Sequence, residues 1–448
     1  MKKRILCTII MASLILSMTA CGSTDTADTA STEEVTVSVE NNDEASADNS
    51  EEAETEPTAE AEAETEAETE AETEAETEAP IEVQDITGCS YFKNGYSFLT
   101  AGNNKYVFNA KDNTVMLKDN YSWSDSTLYP FGDYIFFPGY SASVFDPKTD
   151  EVIFKSDRYG DGDGSCINAW DTKAQKLVIT KEEESFEGNK FYVGVMNNKL
   201  EWDYELTEVT SDALSCDKLA ACSYLSFGDK LLVTDFNRYL MVYSLKDKTL
   251  TDMSDDFNPG FCTSTDKGIH ICYAKNRTDL MGFGSDGEIK KICETNNNAL
   301  FNIISNTIVI NYRDDWSFYD LDFNKLGFDL SSYDVENIVD VNSEFIAFIA
   351  NNPDGVPYTI IMDKNNNLIV DPIKTTYYTI LTDNYAIIPG INMIINLKTG
   401  EAKEVAYSIK YVDNATGKMM VESSDGGNFY LVDPADPDTL INPLEIAK

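Results

Sequence analysis

From residue 81 onward the chain is written in short apolar runs broken by polar turns. Val144–Phe154, VFDPKTDEVIF, sets the type: two hydrophobic segments flank D-P-K-T-D. Alternation on both sides of such a turn predicts a β-hairpin. The same shape recurs in YVFNAKDNTVML from Tyr106, YVGVMNNKLEW from Tyr192, LMVYSLKDKTL from Leu240 and LMGFGSDGEIKKI from Leu280. It continues in WSFYDLDFNKLGF from Trp316, YTIIMDKNNNLIV from Tyr358, MIINLKTGEAKEV from Met393 and FYLVDPADPDTLI from Phe429. The residues that open these turns are Asn109, Asp146, Met196, Ser244, Gly284, Asp320, Asp363, Asn396 and Asp433, spaced 33 to 50 residues apart.

A second hairpin precedes these outer ones. TLYPFGDYIFFPG (127–139), YLSFGDKLLVTDF (224–236), FNIISNTIVINY (301–312), YTILTDNYAIIPG (378–390) and IKYVDNATGKMMVES (409–423) each carry Gly-Asp, Asn or Asp-Asn at the turn, the residues that hairpin geometry favours. One unit is therefore four short strands in about 40 residues. A four-stranded antiparallel unit at that period is the signature of a β-propeller. Nine units can be counted, the first (86–118) and last (409–443) being the least regular. Propellers usually carry four to eight blades, so eight is the expected number, with seven and nine open. Closure is expected to pair strands from the two ends. The fold class is all-β, and a helical stretch is expected only at Asp212–Ala221.

The turns DPKTDEVIF and NLKTGEAKEV are similar to the D-x-K-T-G-x-x-x-W turns of quinoprotein-type propeller repeats. GDYIFF and GDKLLVTDF, each followed by an outer hairpin, resemble the repeats of low-density-lipoprotein-receptor-like propellers of bacterial surface lipoproteins. The likeness covers most of 81–448 and implies architecture. Phe154 and Val405 stand where the quinoprotein pattern has Trp, and the chain has four Trp in all, so no bound quinone is implied.

The amino terminus is a different material. Lys2, Lys3 and Arg4 precede an apolar stretch from Ile5 to Met18, shorter than the roughly 20 residues of a spanning helix. This is the pattern of a secretory signal. Met18-Thr19-Ala20-Cys21 resembles a bacterial lipobox, with Met in place of the usual Leu. The resemblance implies cleavage before Cys21, leaving 1–20 as the signal peptide, and lipidation of Cys21 with the multiple chains that stable anchoring requires. Residues 22–80 hold 22 Asp and Glu with no Lys, Arg or aromatic residue, and end in ETEAETEAETEAETEAP. Low hydrophobicity with high charge leaves no core to fold around. Repeated Glu at i, i+4 also opposes helix. Residues 21–80 thus read as a lipidated Cys and a disordered acidic tether spanning about 45 Å or more, followed by a propeller domain over 81–448.

The whole chain carries −44. The three cations of the leader and 22 acids of the tether leave −25 on residues 81–448. Such a surface excludes nucleic acid, which is bound through basic phosphate contacts. Direct adsorption to anionic lipid is disfavoured for the same reason, so the membrane is reached through Cys21. Seven Cys follow Cys21, with no C-x-x-C. Cys262 and Cys272 flank a turn and are candidates to face each other across a hairpin, although Cys in strands commonly serves as a small buried hydrophobe.

Candidate chemistry is sparse. His270 is the only His and sits in an apolar strand, GIHICY. No G-x-S-x-G, Walker or H-E-x-x-H pattern is found, and no cofactor is expected. STDKGIHI (264–271) resembles the Asp-box of sialidase-like propellers but falls on the first turn of its unit and lacks the Thr-Trp ending. DRYGDGDGS (157–165) is a weak calcium-loop candidate through Asp157, Asp161 and Asp163, hard oxygen donors among flexible glycines. A connecting loop explains the same residues. DKNNNL (363–368) is a turn.

Together these features describe a lipid-anchored, extracytoplasmic binding or scaffold protein at the cell surface, offering a central mouth to a protein, glycan or small molecule. The alternatives are a propeller enzyme acting on glycans, with catalytic carboxylates converging on the channel, and an envelope-assembly factor. The anchor has a direct consequence. Cys21→Ser should move the protein from the membrane fraction to the soluble fraction and abolish incorporation of radiolabelled fatty acid, both read by fractionation and autoradiography.

Overall fold

The computed structural model describes residues 83–117, 127–138, 142–149, 151–156, 164–183, 189–211, 214–235, 239–295 and 299–447. These form nine antiparallel sheets in strict chain order. Blades 1 to 9 span 86–117, 129–155, 165–208, 223–252, 257–294, 300–320, 334–363, 380–404 and 408–432. Blades 6, 7 and 9 have three strands plus isolated bridges in the fourth position: Tyr319 to Lys325, Met362 to Leu368 with Thr359 to Ile373, and Leu431 to Ile441. The expected hairpins all form. The expected helix is reduced to α1, Cys216–Ala221, between blades 3 and 4.

Nine blades, one more than the eight expected, follow from how the middle strands are buried. In the strand Phe345–Asn351, Ile346, Phe348 and Ala350 pack toward blade 6, while Ala347 packs toward blade 8. In Lys230–Asp235, Leu231 and Val233 face blade 3, and Leu232 faces blade 5. Period-2 alternation sends successive side chains to opposite faces, and here both faces are covered. That is why these strands read as continuous apolar runs. A separate hydrophobic core fills each gap between neighbours. Tyr96, Val107, Ile135 and Phe145 join blades 1 and 2; Phe136, Val144, Leu177 and Ile179 join 2 and 3. Val178, Val193, Tyr224 and Leu231 join 3 and 4; Leu225, Leu232, Cys272 and Phe283 join 4 and 5. Ile269, Ile271, Ile308 and Ile310 join 5 and 6; Val309, Phe318, Ile346 and Phe348 join 6 and 7. Ala347, Ile361, Ala386 and Ile388 join 7 and 8; Ile387, Ile394, Met419 and Val421 join 8 and 9.

The ninth core closes the ring, and it does so without the strand pairing expected from the sequence. Blades 1 and 9 are each built from consecutive residues. Ile86, Leu99 and Phe108 of blade 1 pack against Met420 and Leu431 of blade 9 and against Leu444. Leu444 lies in α2, Pro443–Ile446, whose cap Asn442 accepts from the Leu444 N–H at 3.0 Å and donates its amide to the Gln84 carbonyl at 3.0 Å. Two further bonds seal the joint, Gly95 N–H to Asp413 Oδ1 at 3.0 Å and Lys418 Nζ to the Ala110 carbonyl at 2.9 Å.

The outer turns are held by their own opening residues. Asp146 Oδ1 accepts from Lys148 N, Asn109 Oδ1 from Lys111 N, and Asp433 Oδ1 from Ala435 N, at 2.8, 2.9 and 2.9 Å. Asp320 and Asp363 each accept from two backbone N–H groups, and from the amides of Asn324 and Asn367. Where the register places Met196 and Gly284, the neighbours Asn197 and Asp286 do the same work. These are Asx turns, and their acidic character is structural. Cys262 pairs in register with Ile271 and Cys272 with Phe261, so the two cysteines are not register partners. Cys272 is a buried free thiol.

Met420 has no exposure and sits at the closing joint. Met420→Ala should lower unfolding stability by about 2–5 kcal/mol, the range for emptying such a core position. Leu368→Ala, nearly half exposed, should change it by less than about 0.5 kcal/mol. Urea denaturation followed by tryptophan fluorescence measures both.

Candidate functional site at the central mouth

The hairpin turns that join the first two strands of each blade point toward one end of the ring, and there they enclose a cavity of about 1060 Å³. Residues from eight blades line it, all but blade 4. The turn of blade 4 is held instead against the outer turn of blade 5, its Gly228 N–H donating to the Ser285 carbonyl at 3.1 Å. Gly228 meets Gly287 of blade 5 so closely that a Cβ on Gly228 would lie 3.1 Å from the Gly287 Cα.

The rim is a chain of hydrogen bonds from one blade's turn to another's. Asn94 donates to the Leu128 carbonyl at 2.8 Å, tying blade 1 to the entry of blade 2. Gln175 of blade 3 accepts from Gly132 N–H at 2.9 Å and donates to the Pro130 carbonyl at 3.3 Å. Thr172 donates from its N–H to the Asp266 carbonyl at 3.2 Å and bonds it again through its hydroxyl, so blade 3 reaches past blade 4 to blade 5. Lys173 pairs with Asp322 of blade 6 at 2.6 Å, and Lys267 donates to Asn306 at 3.0 Å.

Three buried aspartates stand behind this rim. Asp340 of blade 7 accepts from the Ser305 hydroxyl of blade 6 at 2.6 Å and from the Leu381 N–H of blade 8 at 2.8 Å, joining three blades through one carboxylate. Asp413 of blade 9 has no exposure; it holds Thr416 of its own turn and Gly95 of blade 1. Asp171 accepts from Lys173 N and Ala174 N at 2.9 and 2.8 Å. Its other oxygen lies where a Cβ on Gly268 would sit, 2.5 Å away, so that turn requires glycine, at φ +66°. Burial raises the Asp171 and Asp340 carboxyls above the ordinary range, against the pull of these donors. None of the three stood out in the sequence. The faint signal was an Asp ending the first strand just before its turn; its burial was not legible.

The chemistry of the lining is polar. Its acids are largely committed: Asp320 to its own turn, Asp322 to Lys173, and Glu344 to Lys364 at 2.8 Å. The Lys173 bond holds Asp322 below the usual carboxylate range. Asp383 is exposed on blade 8, remote in the ring order from Asp266 on blade 5. A glycosidase pair, with one raised acid facing one base, is not assembled among the described lining residues. Two aromatic rings contribute, Tyr129 and Phe345. Tyr129 leans on Trp170 with centroids 6.1 Å apart, and burial pushes its hydroxyl up to about 12.

Of the residues singled out in the sequence, Cys21, Asp157, Asp161 and Asp163 lie outside the described residues. Among the described residues no group of three or more metal-ligating side chains occurs, and no helix is long and apolar enough to cross a membrane. His270 is a core residue, 1 % exposed, edge-on to Phe283 at 5.7 Å.

No family model and no curated protein sequence matches the chain. Among solved structures, it is similar to the extracellular domain of a putative one-component system from B. thetaiotaomicron, with 10 % identity, 80 % of this chain covered and 53 % of that one, at a TM-score of 0.25. Pyrococcus horikoshii acylaminoacyl peptidase matches at 14 % identity over 78 % of this chain and 51 % of that chain, with a TM-score of 0.31. PorZ, a surface component of the type-IX secretion system of Porphyromonas gingivalis, matches at 11 % identity over 78 % and 52 %, with a TM-score of 0.27. The chain spans about half the length of each of these three.

Burial pushes the His270 imidazole down to about 4 from an ordinary 6.5. The unfolded chain therefore takes up this proton before the folded one does. Stability should be full above pH 6.5 and fall by roughly 3 kcal/mol as pH drops toward 4. Because His270 is the sole histidine, its imidazole resonances need no assignment. An NMR titration midpoint near 4, and a flatter acid limb for urea unfolding of His270→Leu, are the expected results.

Proposed function

We propose that this protein is a lipid-anchored extracytoplasmic binding protein whose ligand enters the central mouth. The observation that carries the reading is the convergence of polar turn residues from eight blades on one cavity of about 1060 Å³, above the usual size of a small-molecule pocket. A rigid ring presents these turns at low entropic cost, since rim hydrogen bonds already fix them before a ligand arrives. The lipobox-like MTAC and the acidic run behind it support an anchor at Cys21 and a tether that lifts the ring from the membrane surface. The commitment of the mouth's acids to turns and ion pairs favours binding over hydrolysis.

Ser343 and Asn414 are exposed mouth residues on blades 7 and 9. Ser343→Arg combined with Asn414→Arg should fill the entrance and leave the melting temperature unchanged. Screening the full chain against soluble glycans and peptides by glycan array and biolayer interferometry should yield a ligand whose binding this double variant abolishes. Lys398→Glu, on the outer turn of blade 8, should leave binding intact. A ligand indifferent to the filled mouth would overturn the reading.

A further inference from the structure

The mouth is lined by four lysines and five acids, a smaller acidic excess than the 31 cations against 56 acids of residues 81–448. Residues 81–448 carry −25, yet Lys93, Lys111 and Lys267 all line this one cavity. Among the described residues, no carboxylate lies within ion-pair distance of any of the three, whereas Lys173 in the same mouth has Asp322 at 2.6 Å. Lys93 and Lys111 are exposed and come from the two turns of blade 1. The Lys111 stem lies over the turn that follows Lys93: a Cβ on Gly95 would sit 3.3 Å from its Cγ. Lys267 comes from blade 5, nearly across the ring. It is half-buried, and its ammonium donates to the neutral Asn306 amide at 3.0 Å.

We propose that the mouth receives an oxyanionic group of its ligand, a carboxylate or a phosphate, between Lys93, Lys111 and Lys267. This rests on the mouth being the binding site and adds the chemistry of what it takes. An ammonium in a partly desolvated place, as Lys267 is, is costly unless a counter-charge joins it. Burial lowers the basicity of the Lys267 amine; Asp266 opposes this and the Lys93 charge adds to it. Both turns are fixed independently of any ligand. The blade 5 turn is bound at Asp266 by Thr172, and the blade 1 turn is bound at Gly95 by Asp413. Reorientation is not needed to present the amines. Of the five acids of the mouth, Asp322, Glu344 and Asp320 are already paired or bonded within their turns, which leaves Asp266 and Asp383 to oppose an anion. Charge-assisted bonds from several ammonium groups to one oxyanion then supply the attraction.

The test titrates inorganic phosphate and, separately, citrate into the full chain by calorimetry at constant ionic strength, with chloride as the control. A saturable response to at least one probe is expected. Response to phosphate alone identifies a phosphate group, and to citrate alone a carboxylate. Lys93→Gln and Lys111→Gln, both at exposed positions that folding does not use, should each weaken that response roughly tenfold, as removal of one charge-assisted bond does. Lys398→Gln should leave it unchanged. No saturable response to either probe, or equal responses in all variants, overturns the proposal. If a neutral ligand binds and is blocked by Ser343→Arg with Asn414→Arg while neither anion binds, the anion inference falls and the mouth remains the site. If anion binding survives the filled mouth, the mouth reading falls instead.

Discussion

Every blade of this protein is hydrophobic on both faces, and that single constraint organises the rest. A strand such as Lys230–Asp235 cannot cover Leu231 and Leu232 with one partner, since they point in opposite directions. Each sheet therefore needs a neighbour on each side, and a linear stack would leave its first and last faces wet. The ring removes that problem by placing Ile86, Leu99 and Phe108 against Met420 and Leu431. Burying apolar area at about 25 cal/mol per Å² drives the closure. The bonds from Asp413 and Asn442 fix where the two ends meet.

The inner turns inherit their role from this arrangement. Turns normally satisfy their polar groups with water, but around a closed ring they are pressed together. Asp340 spans blades 6, 7 and 8, and Asp413 spans 9 and 1. Both carboxylates are buried, yet each is surrounded by N–H and hydroxyl donors, which is how a buried charge becomes tolerable. The same crowding that satisfies these groups leaves other polar side chains facing the mouth. Rim strength and ligand-facing chemistry thus come largely from one set of turns, joined by the outer Asx turns of blades 1 and 6 through Lys111 and Asp322.

Much of this architecture was legible from residue patterns. Hairpins such as VFDPKTDEVIF and IKYVDNATGKMMVES announced both their strands and their turns, because alternation and turn chemistry are local. Nine units could be counted, yet eight blades were expected. The irregular first and last units proved to be full members because their middle strands, Tyr96–Ala101 and Met419–Glu422, bury both faces. Which neighbour each face meets is not local information. The expectation of strand exchange at the closure failed for a related reason. A tail running on through Ile441 to Leu444 already covers the joint, so side-chain packing suffices. Cys262 and Cys272 show the limit of spacing as a guide: the register pairs each with a different residue, one position away from the other cysteine.

The site was much less visible. Asp171, Asp340 and Asp413 look in sequence like any of the 56 acids in residues 81–448; their burial depends on blades far away in the chain. Lys93, Lys111 and Lys267 carry no motif and are separated by up to 174 positions. The sequence by itself determined the strands, their turns, the repeat and the acidic character of the domain, since each of these rests on neighbouring residues and on composition. Only the tertiary structure decided the blade number, the manner of closure and the gathering of charged turn residues at one opening, because those depend on which distant turns the closed ring brings side by side.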